Sequence, residues 1–255
     1  MLGIGGEDMN IFSGLFKIEL KLLLKQPISM IFGVAAPILF LMMQAEIFKN
    51  GIEFQSQNVN MVDVALPMFA LMSIAVLAVG NVGIGLAYSR VLKFLKRLRL
   101  TPTKKYHYIG ANLLVQILVA IVTLIVMFIL VSVVYSVKVF NHNLLLFFLI
   151  LLLDFLMCYF IGLFLGSVFK DPKVSQTVAM IVYFAFVFLG GFTFPIEIMP
   201  RFMQIVAYIM PTTHAVKVLQ FAWNGTNLFA DFHLLVVAVT TLIFGALSFK
   251  AFKFQ

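Results

Sequence analysis

An all-α, polytopic membrane protein with six transmembrane helices is the fold class this sequence predicts, and three observations predict it. The first is composition. The 255-residue chain is 63% hydrophobic and only 11% charged, against about 25% charged in soluble domains, and its mean hydropathy is +1.09. A soluble domain of this length exposes too much surface to hide so much apolar material. The second is that six apolar runs each reach the roughly 20 residues needed to cross a bilayer: 28–48, 62–89, 108–136, 144–169, 174–194 and 232–252. The third is an uneven distribution of Lys and Arg among the connections. Together they exclude a disordered chain, a cytosolic enzyme and a DNA-binding domain. The net charge of +8 belongs to loops of a membrane protein rather than to a nucleic-acid surface. A single cysteine excludes an intrachain disulfide or a cysteine metal cluster.

The elements follow in order, within one membrane domain spanning 1–255. The leader MLGIGGED is Gly-rich and expected to be loose. No cleavable signal pattern is visible, and Met9 is an alternative start. Residues 1–27 hold Lys17, Lys21 and Lys25. The loop 90–107 holds Arg90, Lys93, Lys96, Arg97, Arg99, Lys104 and Lys105 without an acid. Lys170 and Lys173 follow span four, and Lys250 and Lys253 close the chain. These fourteen bases stand against four, Lys49, Lys138, Arg201 and Lys217, in the other three connections. The rule that basic loops stay inside places both termini in the cytoplasm. Glu46, Glu53, Asp63, Glu197 and Asp231 then fall outside.

Two cytoplasmic segments are amphipathic. In 11–25 (IFSGLFKIELKLLLK) Lys17, Lys21 and Lys25 recur every four residues as one basic stripe. Phe12, Leu15, Phe16, Leu22 and Leu23 oppose it, and Pro27 ends the helix. Glu19 is the misfit among the apolar residues. It reads either as a snorkelling surface acid, the favoured reading, or as an ion-pair partner of the basic loop or of another protein. Residues 90–100 (RVLKFLKRLRL) continue span two. Val91, Phe94, Leu95 and Leu98 share one face, and Arg90, Lys93, Lys96, Arg97 and Arg99 take the other. Thr101-Pro102-Thr103 makes a turn before span three. Seven bases exceed what topology requires, so the loop reads as a rigid knob for docking a cytoplasmic protein.

The motif RLRLTPTKKYHYIGANLL (97–114) resembles the cytoplasmic loop of type-2 ABC exporter permeases, with a Leu-x-x-Thr-Pro element ahead of span three. GGFTFPIEIMP (190–200) and YIMPTTHAV (208–216) resemble the Gly-rich end of span five and the external re-entrant hairpin of the same family. Pro195, Pro200 and Pro211 match its spacing. Met210-Pro211 replaces the usual Asn-Pro, and His214 stands near the aromatic position. The resemblance implies a half-permease in a cell membrane, by analogy the bacterial cytoplasmic membrane. It pairs with a second copy or a sister permease, and each half binds one ATP-hydrolysing subunit. It assigns coupling to Arg97, Leu98, Arg99, Leu100, Thr101, Pro102, Lys104 and Lys105. It assigns a connecting helix to Lys17, Glu19 and Lys21, the export path to spans two and five, and the external hairpin (195–231) to Pro195, Glu197, Pro200, Pro211 and His214. No Gly-x-x-x-x-Gly-Lys-Ser/Thr loop occurs in the chain, so this chain binds no cofactor of its own and is not an enzyme. ATP and Mg²⁺ belong to the partner subunit.

Within the spans, Asp154 is an intramembrane acid, costing at least about 2.5 kcal/mol as a charge. It reads as a neutral acid hydrogen-bonded to Ser, Asn or backbone, or as a proton or substrate site. Gly80, Gly83, Gly85, Gly162 and Gly166 permit close helix contact, and those of span two also permit bending. Asn81, Gln116 and Gln176 are expected to bond between helices. Asn81, Tyr183, Phe184 and Phe188 are candidates for the path. For the aromatics, lipid contact is an equal alternative. His142, His214 and His233 lie on the outer side without metal-site spacing.

An ABC exporter permease for a drug-like, antimicrobial-peptide or lipid-like cargo accounts for both the knob and the hairpin. A stand-alone secondary transporter or channel using Asp154 lacks inverted repeats or paired midplane charges. An intramembrane enzyme lacks a clustered catalytic set. Replacing Leu98 and Arg99 by Asp is expected to uncouple the ATPase without unfolding the permease.

Overall fold

The computed structural model describes residues 4–24, 35, 37–43, 46, 61–101, 103–135, 143–169, 171–193, 196, 199–225 and 232–253. Among these the chain is helical, without a strand. Ten helices order the account: α1 (Ile4–Leu24), α2 (Met61–Ala75), α3 (Val82–Val91), α4 (Phe94–Leu98), α5 (Lys105–Tyr135), α6 (Leu144–Val168), α7 (Pro172–Leu189), α8 (Arg201–Ile209), α9 (Pro211–Asn224) and α10 (Phe232–Ala251). A π turn, Val76–Asn81, joins α2 to α3. Residues 37–43 are also helical, and the rest of the expected first span lies outside the described residues.

Among the described residues four helical stretches are long and apolar enough to cross a membrane: Ala65–Val91, Lys105–Val134, Leu144–Val168 and Phe232–Ala251. They correspond to expected spans two, three, four and six. Expected span five is the shorter apolar helix Lys173–Leu189. Span two is not one smooth rod. Pro67 sits inside α2, and the π turn inserts a widened turn at Gly80 and Asn81, the kind of local irregularity that bends a helix.

α6 is the hub and touches α2, α3, the π turn, α7, α9 and α10. Its seam with the π turn and α3 is backbone on backbone. A Cβ on Gly162 would collide with the Ala78 carbonyl and come within 2.9 Å of Val79 Cα; one on Gly166 would come within 2.7 Å of the Gly83 carbonyl oxygen. Gly83, Gly162 and Gly166 thus play the expected packing role, while Gly80 and Gly85 face open space. Against α10 the seam uses side chains. Ser248 Oγ donates to the Phe160 carbonyl at 2.7 Å, and Phe164 meets Phe244 edge-on.

Helix ends follow local chemistry. Asp171 Oδ1 accepts from Lys173 N at 2.7 Å and caps α7, as a carboxylate at an N-terminus should. Pro200 precedes α8 and Pro211 opens α9, positions where a missing N–H costs nothing. Gly225 (φ 72°) closes α9 in the left-handed region.

Three expectations are corrected. The leader is helical from Ile4, because α1 lies along α5 and the helix propagates back from that packed segment. Span two does not run on through residue 100. Lys93 adopts φ 55°, and that left-handed residue separates α3 from the short α4, which leaves Val91 exposed instead of sharing the apolar face of Leu95 and Leu98. Arg90 also leaves the exposed basic face, for the reason given next.

Candidate functional site: the basic elbow and the polar cavity beside it

The elbow is built from the turn at Lys93, the five-residue α4 and the Thr-rich turn that starts α5. Leu95 and Leu98 are buried, and Phe94 rests against Tyr108 (6.5 Å between ring centres). Tyr108 in turn stacks on Phe252 at the end of α10 (5.6 Å). These apolar anchors leave Lys96, Arg97, Arg99 and Leu100 outward, Leu100 with 88% of its surface exposed. Thr101 Oγ1 bonds the Leu98 carbonyl at 2.7 Å and meets Thr103 Oγ1 at 2.7 Å, closing the turn. Pro102 lies outside the described residues. Lys104 and Lys105 are exposed, and the Lys104 ammonium lies 5.6 Å from the Tyr106 ring centre. Leu98, expected among the outward docking residues, is instead an anchor. An Asp there would bury an unpaired charge, so the expected Leu98/Arg99 double substitution would damage the fold.

Arg90 fastens the elbow to the hub. Its guanidinium donates to the carbonyls of Gly166 (2.5 Å), Ser167 (3.2 Å) and Phe169 (3.1 Å). These are terminal carbonyls of α6, where the helix dipole favours a cation. Counting charges in the loop does not reveal this; the signal lies 76 residues away.

Helix α1 presents Lys17 and Lys21 to the exterior, as its periodicity predicts, and buries Phe12, Leu15 and Leu23 wholly or partly. Glu19 is not a snorkelling surface acid, and among the described residues it makes no ion pair. It is 8% exposed, and its Oε2 accepts from Asn112 Nδ2 of α5 at 2.9 Å. Burial raises its carboxyl above the ordinary glutamate range, partly countered by Asn112 and the nearby Tyr108 hydroxyl. Asn112 is held by Tyr159, whose hydroxyl lies 3.2 Å from Oδ1 and 3.0 Å from the Ile109 carbonyl. Sequence reading flagged Glu19 as a misfit, but not Asn112 as its partner.

Beside this bond lies a cavity of about 490 Å³ between α1, α3, α5 and the start of α7. Glu19, Asn81, Ser89, Asn112, Gln116 and Gln176 line its polar side. The three amides expected to bond between helices are therefore gathered into one space. The path candidates divide: Asn81 lines this cavity, whereas Tyr183, Phe184 and Phe188 lie farther along α7, Phe184 and Phe188 exposed and stacked at 6.2 Å.

Asp154 lies wholly buried on α6, and neither carboxyl oxygen has a hydrogen-bond partner among the described residues. The bond expected to Ser, Asn or backbone is not made there. At the opposite end, His214 Nδ1 meets His233 Nδ1 at 2.6 Å, and His214 Nε2 meets the Tyr208 carbonyl at 3.0 Å. The pairing of two histidines 19 residues apart had no signal in their spacing. Pro195 and Glu197 of the expected hairpin, and His142, lie outside the described residues.

The comparisons agree with this architecture. No curated protein sequence matches the chain. The model of the ABC-2 type transporter family matches residues 11–223, from within α1 into α9. With its apolar crossing helices, the chain is a multi-pass membrane protein belonging to the ABC-2 type transporter family.

Proposed function

We propose that this chain is one membrane half of an ABC exporter in a bacterial cytoplasmic membrane, with both termini and the basic elbow inside. Two halves, two copies or one copy and a sister permease, enclose the export path. A separate ATPase subunit grips each elbow and binds the ATP and Mg²⁺. The carrying observation is the elbow itself: an apolar-anchored helix whose outward face is Lys96, Arg97, Arg99 and an 88%-exposed Leu100. Leu100 gives the basic elbow an apolar tip of the kind that a protein groove accepts.

The supporting geometry makes the elbow a lever. Phe94 and Tyr108 tie α4 to α5, Arg90 ties α3 to the end of α6, and the glycine seam locks α3 against α6. A push on α4 therefore moves α3, α5 and α6 as one body, together with the π turn that Gly162 meets at Ala78 and Val79. Lys17 and Lys21 of the connecting helix add basic surface beside the lever. Asn81 and the aromatic face of α7 (Tyr183, Phe184, Phe188) would line the path. Their mixed character fits a drug-like, peptide or lipid-like cargo. The hairpin with Pro195, Glu197, Pro200, Pro211 and His214 would close the outer end.

The test is the triple substitution Arg97→Glu, Arg99→Glu, Leu100→Asp, all at exposed positions. It should leave the permease's melting temperature unchanged and weaken ATPase association by about tenfold or more, since several rim charges reverse sign. Unchanged association and transport would contradict the docking role.

A further inference from the structure

We infer that the polar cavity between α1, α3, α5 and α7 is a binding site for an ammonium group carried on an apolar body, with Glu19 and Gln116 as its acceptors. The inference goes beyond the permease reading and does not need the ATPase.

Two acceptors in this cavity are open: among the described residues Glu19 Oε1 and Gln116 Oε1 have no hydrogen-bond partner, and both residues are more than nine-tenths buried. A buried acceptor without a donor is costly, a buried carboxylate most of all, and both belong to residues lining the same cavity. The Asn112 amide already occupies Glu19 Oε2 and the Tyr108 hydroxyl lies near the carboxyl, so the group is held in place while Oε1 accepts no hydrogen bond from the described residues. What these two oxygens lack is a donor, and a cation satisfies them best, because the one charged group in the lining is an acid. A primary ammonium has three N–H donors for the carboxylate and the amide oxygens.

The remainder of the wall selects the body. Leu22, Leu23 and Leu92 line the cavity with Tyr88, whose ring is half exposed and can take a cation or an alkyl chain against its face. An amphipathic amine fits this division; a sugar or an anion does not. The larger groove of about 640 Å³ between α5 and α6 is lined by apolar side chains alone and has nothing to orient a polar group. Two sources supply an alkyl-linked ammonium: the headgroup of phosphatidylethanolamine, or an amine cargo.

The experiment uses the purified full chain in a non-ionic detergent, with octylamine as probe and octanol as its uncharged counterpart. Equilibrium dialysis should give saturable octylamine binding that octanol does not displace. Glu19→Gln preserves the bond to Asn112 and should weaken binding by about tenfold or more, the usual worth of a charge-assisted hydrogen bond. Gln116→Leu should weaken it less, with a melting temperature near wild type, while Glu19→Gln should melt no lower than wild type. Octylamine binding that is equal in Glu19→Gln, or equal displacement by octanol, would overturn the assignment. In nanodiscs, competition by phosphatidylethanolamine but not phosphatidylglycerol assigns the site to lipid. Undiminished octylamine binding in phosphatidylethanolamine assigns it to a separate amine. Because no step depends on an ATPase, loss of coupling in the elbow variants leaves this result untouched.

Discussion

At the basic end of the bundle, helices meet through their backbones: Gly83 against Gly162 and Gly166, and the Arg90 guanidinium on three carbonyls of α6. At the opposite end, α9 sits against α2, α6 and α10 on interlocking rings. Trp223 packs on Phe147 (5.1 Å) and Phe128 (6.2 Å), and His214 pairs with His233. Backbone contact tolerates no added atom and has one register. Ring clusters repack with modest losses. The difference teaches where the molecule can transmit a push and where it can yield. On the proposed function the keyed end would act as a lever and the aromatic end as a joint that opens and re-forms.

The comparison can be broken most forcefully at the seam. Gly162→Leu should prevent a monodisperse fold altogether, and Gly162→Ala should cost about 3 kcal/mol, at the upper end for an overpacked contact, since its Cβ meets backbone rather than a flexible side chain. Trp223→Phe at the other end should cost about half as much or less, read as a smaller fall in melting temperature in the same detergent. Equal losses at both ends would remove the distinction.

Next in size is Arg90→Ala, which strips three carbonyls of a charged donor and should cost about 2–3 kcal/mol. Arg90→Lys should recover less than half of it, because an ammonium cannot span the three acceptors as a guanidinium does. Full recovery by lysine would reduce the contact to simple charge.

The smallest expected effect sharpens the picture of the connecting helix. Burial raises the Glu19 carboxyl, so the folded state holds its proton more tightly than the unfolded chain. That contribution to stability is fully present below the ordinary glutamate value of 4.5 and is lost as pH rises through the folded-state value. Glu19→Gln should therefore be more stable than wild type at neutral pH in ligand-free protein. The gap should close as pH falls toward 4 and below. A gap that widens on acidification would mean that Glu19 is held as a carboxylate.

The apolar runs and the periodicity of Lys17 and Lys21 were legible because burial and exposure repeat with the helix period. The knob was legible in Leu95 and Leu98 for the same reason. What periodicity does not carry is long-range partnership. Glu19 stood out only as a misfit until Asn112, 93 residues on, came beside it, and Arg90 looked like one base among seven. The break at Lys93 was invisible because lysine has no preference for the left-handed region; the fold imposes it. Glycines were recognised as packing residues, but which of five would touch was a matter of register between α3 and α6.

The central claim, that the basic elbow is gripped from inside by an ATPase, is open to one direct measurement. Cys158 is the single cysteine and is buried, so a cysteine at the exposed Leu100 would be the chain's one reactive thiol. In native membranes a thiol cross-linker on Leu100→Cys should trap an ATP-binding cassette subunit, and a membrane-impermeant maleimide added outside intact cells should leave it unlabelled. Labelling from the outside, with no such subunit trapped, would contradict the account.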